Sequence, residues 1–275
     1  MRDIASMSII EIDVTNVCGR SCSNCTRLVG HYSKDKLFFM EPAYYEKAVK
    51  SLVDFPGVVG MIGGEPMLHP QFMELCGILM KHIPQRWRRA IFTNPLNTGD
   101  VFGRRKSFLD RVFGLQNLNR HIDTPVVHTP ILVGAGEFFG EDTKTMWEYM
   151  DKCWIQMTWS ATINPKGAYF CEVAGVLAML LDGPDGWDIE ARPEWWRKRL
   201  PEYEAQKQWG CTHCGAAIPL KPRRSTEGID DISPSYVEKL KALGSPKVAA
   251  GKYEVFCGKL DPTQVRNCTW YWYGK

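Results

Sequence analysis

The 275-residue chain has no apolar run long enough to span a bilayer, and its start lacks the basic, apolar and small-residue series of an export signal. Met1-Arg-Asp-Ile leads almost at once into an apolar run at residues 7–14, so no membrane association and a cytoplasmic location are expected. Charge of one sign is scarce as well. An excess of +3 is too small to predict nucleic-acid binding, although it does not oppose an anionic ligand. What the chain does have is ordinary for a globular protein, with 44% hydrophobic and 24% charged residues. Its length buries a full core and suits one large domain or two modest ones.

Cysteines, by contrast, are plentiful. Ten of them, with no export signal, point to metal ligation rather than to a disulfide framework. The densest group, Cys18-Gly-Arg-Ser-Cys22-Ser-Asn-Cys25, has three thiols in eight residues, so internal pairing always leaves one over. The run Met7-Ser-Ile-Ile-Glu-Ile-Asp-Val14 before it reads as a half-buried strand that fixes the base of the loop. A structural zinc wants four protein ligands, whereas an iron–sulfur cube is held by three cysteines with its fourth iron open to a ligand that is not protein. Half of a zinc site completed from elsewhere is the competing reading.

A further strand, Val58–Ile62, ends in Gly63-Gly64-Glu65-Pro66. Two glycines let backbone approach a ligand closely, and a carboxylate followed by proline offers a fixed acceptor for an ammonium group. Alone, this reads as an ordinary strand-to-helix turn. Together, the C-x3-C-x2-C loop and the turn, each after a strand and separated by one helix, resemble the signature of the radical S-adenosylmethionine (SAM) superfamily. The resemblance implies a [4Fe-4S] cluster on Cys18, Cys22 and Cys25, with its open iron chelated by the amino and carboxylate groups of SAM. It also implies that Gly63, Gly64, Glu65 and Pro66 bind the amino end of SAM. Thr93 and Asn94 end a third strand at residues 89–94 and resemble the polar ending that the family places near SAM. Asn24 stands where the family often has an aromatic residue beside the adenine, so this sequence departs from the pattern there.

Helices are expected between these strands. Glu41-Pro42 opens one with Tyr45, Ala48, Val49, Leu52 and Val53 on a stripe, and Pro70 opens another with Phe72, Leu75, Cys76, Leu79, Met80 and Ile83 inward. Cys76 in that stripe reads as a small buried hydrophobe, and His69 as a capping or surface residue as readily as one facing a site. Strand–helix alternation is the pattern of a parallel sheet with ligands at the carboxyl ends of its strands. Residues 104–118 read as a helix and 125–133 as a strand interrupted by Pro130. Gly134-Ala-Gly-Glu137 is a fragment of a phosphate-loop pattern that carries nothing alone. The fold expected is α/β, a partial (β/α) barrel of the radical SAM type over residues 1–152.

From Cys153 the character changes. Thirteen residues separate Cys153 from Gly167, three more precede Cys171, and Cys211-Thr-His-Cys214 follows much later. This resembles the auxiliary-cluster modules, SPASM or the shorter twitch, that follow some radical SAM barrels, although those usually have four residues between glycine and cysteine. The resemblance implies a second [4Fe-4S] cluster on Cys153, Cys171, Cys211 and Cys214 and a SPASM/twitch-like domain over residues 153–275. Spacing alone fits an all-cysteine zinc site equally. Ile163-Asn-Pro-Lys-Gly167 reads as a hairpin turn that brings Cys153 and Cys171 near each other, and His213 as a bystander. Helices are expected at 171–181, 193–209 and from Ser233-Pro234 through Leu243, with a polar, basic loop at 219–231 carrying Lys221, Arg223 and Arg224. Cys257 and Cys268 read as buried or unreactive thiols rather than as hydrogen donors or ligands, and Trp187, Trp195, Trp196, Trp209, Trp270 and Trp272 mostly as core filler.

For function, the resemblance implies that SAM receives one electron and splits into methionine and a 5′-deoxyadenosyl radical, which abstracts hydrogen from an unreactive carbon. It implies a flavodoxin- or ferredoxin-like electron donor, with the auxiliary centre as substrate anchor or relay; no residue is assignable as a general acid or base. With no peptide-recognition domain or RNA-binding module visible, the expected substrate is a sugar, nucleotide, amino acid or peptide. Three readings compete with this one. A radical isomerase of a modified nucleobase in DNA or RNA rests on Arg223-Arg224 and the aromatic residues. A non-catalytic, zinc-stabilised binding protein would use the four later cysteines. An iron–sulfur electron carrier explains the thiols but gives no purpose to the turn at Gly63.

Overall fold

In the computed structural model, which describes residues 1–94, 100–118, 126–158 and 160–261, the isoleucine-rich run Ile9–Asp13 forms strand β1. Pro42 opens helix α1 (Pro42–Lys50) at a position where its missing N–H costs nothing. Tyr45, Ala48, Val49 and Leu52 are buried as the stripe requires, but Val53 is exposed. Strand β2 (Val58–Ile62), helix α2 (Phe72–His82) and strand β3 (Arg89–Thr93) follow, with Cys76 fully buried in the apolar face of α2.

Helix α3 (Asp100–Val112) stops short of the expected 118, and Leu115–Leu118 is strand β4. Gly114 is the reason: its N–H donates to the carbonyls of Arg86 and Arg89, and a Cβ there would lie 2.5 Å from the Arg86 oxygen. The expected strand at 125–133 is reduced to β5 (Val127–His128), with residue 125 outside the described residues. Helices α4 (Ala135–Phe139), α5 (Thr143–Met150) and α6 (Trp154–Thr158) lead to strands β6 (Ser160–Asn164) and β7 (Gly167–Tyr169), which form the expected hairpin. Helix α7 (Glu172–Leu180) is apolar nearly all round because it packs between β6 and helix α8 (Leu200–Thr212). The helix expected from 193 starts only at Leu200, since Pro201 is tolerated in a first turn and not deeper. Short elements complete the described chain: β8 (Arg223–Arg224), β9 (Asp230–Ile232), α9 (Pro234–Ala242), α10 (Pro246–Ala249) and β10 (Tyr253–Val255).

The main sheet is mixed but mostly parallel, in the order β4-β3-β2-β1-β6-β7, with only β7 antiparallel to its neighbour. Among the described residues β4 and β7 are its edges and no barrel closes. Residues on both sides of position 152 share this sheet, because β6 lies directly on β1 with Ile9 opposite Ser160. All five residues of β1 are buried, so the half-buried strand expected from its alternation has both faces covered. One hydrophobic cluster runs from Ile4 to Val248 and takes in Trp195 and Trp196, whose indole N–H groups donate to Ser51. No described helix is long and apolar enough to cross a membrane.

Candidate functional site

In a parallel sheet the carboxyl ends of neighbouring strands open on one edge. Asp13 lies opposite Ile62 there, and the chain that leaves β1 for the cysteine loop runs beside the turn that leaves β2. Gly64 N–H donates to Thr15 O (2.7 Å) and Glu65 N–H to Val17 O (2.9 Å), which stitches the two segments together. That approach admits no side chain. A Cβ on Gly63 would lie 2.1 Å from the Thr15 oxygen and one on Gly64 2.3 Å from the Val17 oxygen, and Gly63 has φ +151°.

The consequence is a single cavity lined by Cys18, Cys22 and Cys25 together with Gly63, Gly64, Thr93 and Asn94. Arg20, Arg27 and His128 also line it, and no aspartate or glutamate does among the described residues. Sequence reasoning missed His128. Its Nδ1 donates to Ser23 O (2.7 Å), and burial lowers its pKa. Burial pushes the Cys18 thiol up to about 12 and the Cys22 thiol up to about 11. Thiols held in this way become good metal ligands only by losing protons to the metal.

Glu65 is fully buried and does not line the cavity. Its Oε1 accepts from Met67 N–H (3.1 Å) and Thr93 Oγ1 (2.5 Å), and its Oε2 from Asn94 N–H (2.7 Å). Burial raises its pKa despite these three donors. Its carboxylate therefore fixes the end of β3, and Thr93 and Asn94 present that end to the cavity. Pro66 starts the short helical turn that follows. Asn24 is buried with φ 47°, a left-handed conformation that asparagine tolerates, and its side chain bonds both ways with Asp231 at 3.0 Å. It does not line the cavity. His69 is structural: Nε2 donates to Met40 O (3.0 Å) while Nδ1 accepts from Gln71 N–H (3.1 Å).

Cys153, Cys171, Cys211 and Cys214 come together around a second, smaller cavity walled by Met150, Ile155, Phe170 and Val173. Cys153 stands before α6, Cys171 before α7, and the last two at the end of α8. The thiols raise one another: burial first and Cys153 next hold Cys171 well above an ordinary thiol, and the same causes push Cys214 up to about 12. His213 stacks on Trp209 and bonds its carbonyl. Among the described residues no three or more His, Cys, Asp or Glu side chains are spaced to hold a single metal ion. Cys257 is exposed and Cys268 lies outside the described residues.

Arg27 lies between the two cysteine sites. Two residues after Cys25, its Nη1 lies 3.1 Å from Asp13 and 3.8 Å from Glu11, and its Nη2 2.8 Å from Glu172, the residue after Cys171. Burial opposes its charge, but Glu172, Asp13 and Glu11 outweigh that and raise its pKa. Neither Glu11 oxygen faces a donor, and burial, then Glu172, lifts its pKa far up. Burial and the neighbouring carboxylates thus favour the protonated form of Glu11.

No family profile matches the sequence, and no curated protein does either. Among solved structures the chain resembles the crystal structure of BtrN in an open conformation, at 15% identity over 80% of this chain and 96% of that one, with a TM-score of 0.47. It also resembles BtrN in complex with AdoMet and 2-DOIA, at 17% identity over 76% and 92% of the two chains, with a TM-score of 0.43.

Proposed function

We propose that the chain is a radical SAM enzyme. One observation carries the reading: three thiols from a single short loop face one cavity with the close-approach glycines of β2 and the polar end of β3, and no carboxylate lines it among the described residues. Three soft thiolates suit an iron–sulfur cube and leave one corner to a ligand that is not protein. Cys18, Cys22 and Cys25 would hold that cube, Gly63 and Gly64 would offer backbone to the amino end of SAM, and Glu65 would act through Thr93 and Asn94. With the cube and SAM bound, the chemistry supplied is one-electron cleavage of SAM and hydrogen abstraction by the resulting radical. Cys153, Cys171, Cys211 and Cys214, four thiols with apolar walls, suit a second cube.

A flavodoxin- or ferredoxin-like donor and a small or mid-sized substrate complete the reading. Of the residues that suggest the nucleobase alternative, Arg223 is bound bidentately by Asp231 (2.8 and 2.7 Å) and also meets Glu254 and Glu227. The test is anaerobic reconstitution followed by iron and sulfide analysis and a SAM-cleavage assay. Two cubes give about eight irons per chain, and reduced protein is expected to release 5′-deoxyadenosine. A colourless zinc protein without sulfide, inert toward SAM, would overturn the reading.

A further inference from the structure

The loop at 18–25 has no regular structure of its own, and two residues in or beside it, Asn24 (φ 47°) and Leu28 (φ 53°), sit in the left-handed region. Something outside it must hold it still. That something comes from more than 200 residues further along the chain, as the separation of 206 between Asn24 and its partner Asp230 shows. Ser23 N–H donates to Ser225 O (3.0 Å), and Ser23 Oγ accepts from Ile229 N–H (3.0 Å). Asn24 N–H donates to the carboxylate of Asp230. Lys247 Nζ donates at once to the Cys22 carbonyl (2.9 Å) and to Asp230 Oδ1 (2.7 Å). The other carboxylate oxygen of Asp230 accepts from His31 Nε2 (2.6 Å), and His31 Nδ1 is 2.8 Å from Ser245 Oγ.

We infer that Asp230, joined to Lys247 and His31, is the positioning centre of the cysteine loop, and sets from the far end of the chain the geometry in which Cys18, Cys22 and Cys25 are presented. Asp230 and Lys247 are 2% and 3% exposed, and ions so buried persist only when paired and hydrogen-bonded. The pair is therefore not a surface ornament. It joins one carboxylate to two loop contacts, the Asn24 amide directly and the Cys22 carbonyl through the ammonium. The aliphatic part of Lys247 also fills the space beside Gly30, where an added Cβ would lie 2.9 Å from its Cδ. The arrangement answers the departure at position 24: the asparagine serves the loop's attachment to β9 instead of facing the cavity.

The pair also sets the field at the thiolates. Asp230 and Lys247 cancel each other beside Cys22, so removing either leaves one sign uncompensated. Loss of the carboxylate makes the surroundings more positive and an iron–sulfur centre on the trio easier to reduce; loss of the ammonium does the reverse. A purely structural support would not produce shifts of opposite sign.

The experiment uses the full chain with Asp230→Asn, Lys247→Met and the double variant. In metal-free protein, amide exchange at Asn24 is expected to become at least about tenfold faster in Asp230→Asn, the loss of one charge-assisted bond, while amides of β1 and β2 keep their protection. After reconstitution, the midpoint potential of the centre on Cys18, Cys22 and Cys25 is expected to rise in Asp230→Asn, fall in Lys247→Met and return toward the wild-type value in the double variant. Unchanged exchange at Asn24, or shifts of one sign in both single variants, would overturn the inference. The potentials rest on the function proposed above and the exchange does not. A wild-type chain that binds no iron at the trio would sink that function and leave exchange to decide the positioning role. Should Asp230→Asn fail to fold, Lys247→Met, which keeps the packing beside Gly30, carries the potential: a fall is expected and a rise would overturn the inference.

Discussion

Glu11 and Asp13 of the central strand and Glu172 of α7 present three carboxyls to one guanidinium, that of Arg27. Three against one favours retention of a proton, and burial raises the pKa of both Glu11 and Asp13, that of Glu11 the further. Above the unfolded pKa of about 4.3, folded Glu11 still binds a proton that the unfolded chain has released. Stability from this group is therefore complete at low pH and is lost as pH rises toward its folded pKa, by up to about 1.4 kcal/mol per pH unit. Glu11→Gln removes that dependence. Urea midpoints of the two proteins are expected to agree near pH 4 and to separate in favour of the glutamine variant toward pH 8; parallel curves would show that Glu11 is ionised. Arg27→Met, in contrast, strands Asp13 and Glu172 without a cation and is expected to cost about 3–5 kcal/mol by chemical denaturation. None of this was legible in the sequence. Ile10-Glu11-Ile12-Asp13 alternates as a strand with one wet face does, and only the burial of both faces of β1 puts the acids inside.

The turn after β2 is where local pattern and fold agree. Its two glycines stand out in the sequence because backbone has to come close to something there. In the structure they approach the cavity that Cys18, Cys22 and Cys25 line and also the backbone of Thr15 and Val17. Gly63→Ala meets both obstacles, a φ of +151° that costs an L-residue about 1–3 kcal/mol and a clash with the Thr15 oxygen at 2.1 Å. The variant is expected to lose at least that much stability by denaturation and to bind less iron at Cys18, Cys22 and Cys25 on reconstitution. Iron at the four later cysteines should be unchanged, which separates a local fault from global unfolding. Elements bounded by proline or glycine were similarly readable: Pro42 and Pro234 open their helices where expected. Gly114 shows how such a signal is missed. The apolar spacing of 104–118 reads as helix through it, yet its close approach to Arg86 ends α3 and frees β4.

Strand order is the property that local pattern cannot carry, because it depends on which distant segment covers an edge. The four later cysteines suggest a second unit beginning near residue 153, and those thiols do gather in one place. The sheet nevertheless runs across that point. β6 is hydrogen-bonded to β1 from Ile9 opposite Ser160 to Ile12 opposite Ile163, and Thr162 Oγ1 donates to Glu11 O and to Asp13 Oδ2, both at 3.1 Å. Glu172 beyond it supplies part of the charge balance of Arg27, and Asp230 and Lys247 hold the first cysteine loop. A fragment ending at residue 152 would keep every residue of the first cysteine motif and of the Gly63 turn. It would also expose the edge of a fully buried central strand, remove one carboxylate partner of Arg27 and release the loop. It is therefore expected to lack the cooperative unfolding of the full chain and to show no slowly exchanging amides in β1. A fragment that folds cooperatively and holds iron on Cys18, Cys22 and Cys25 would mean that the first half needs neither β6 nor the distal clamp.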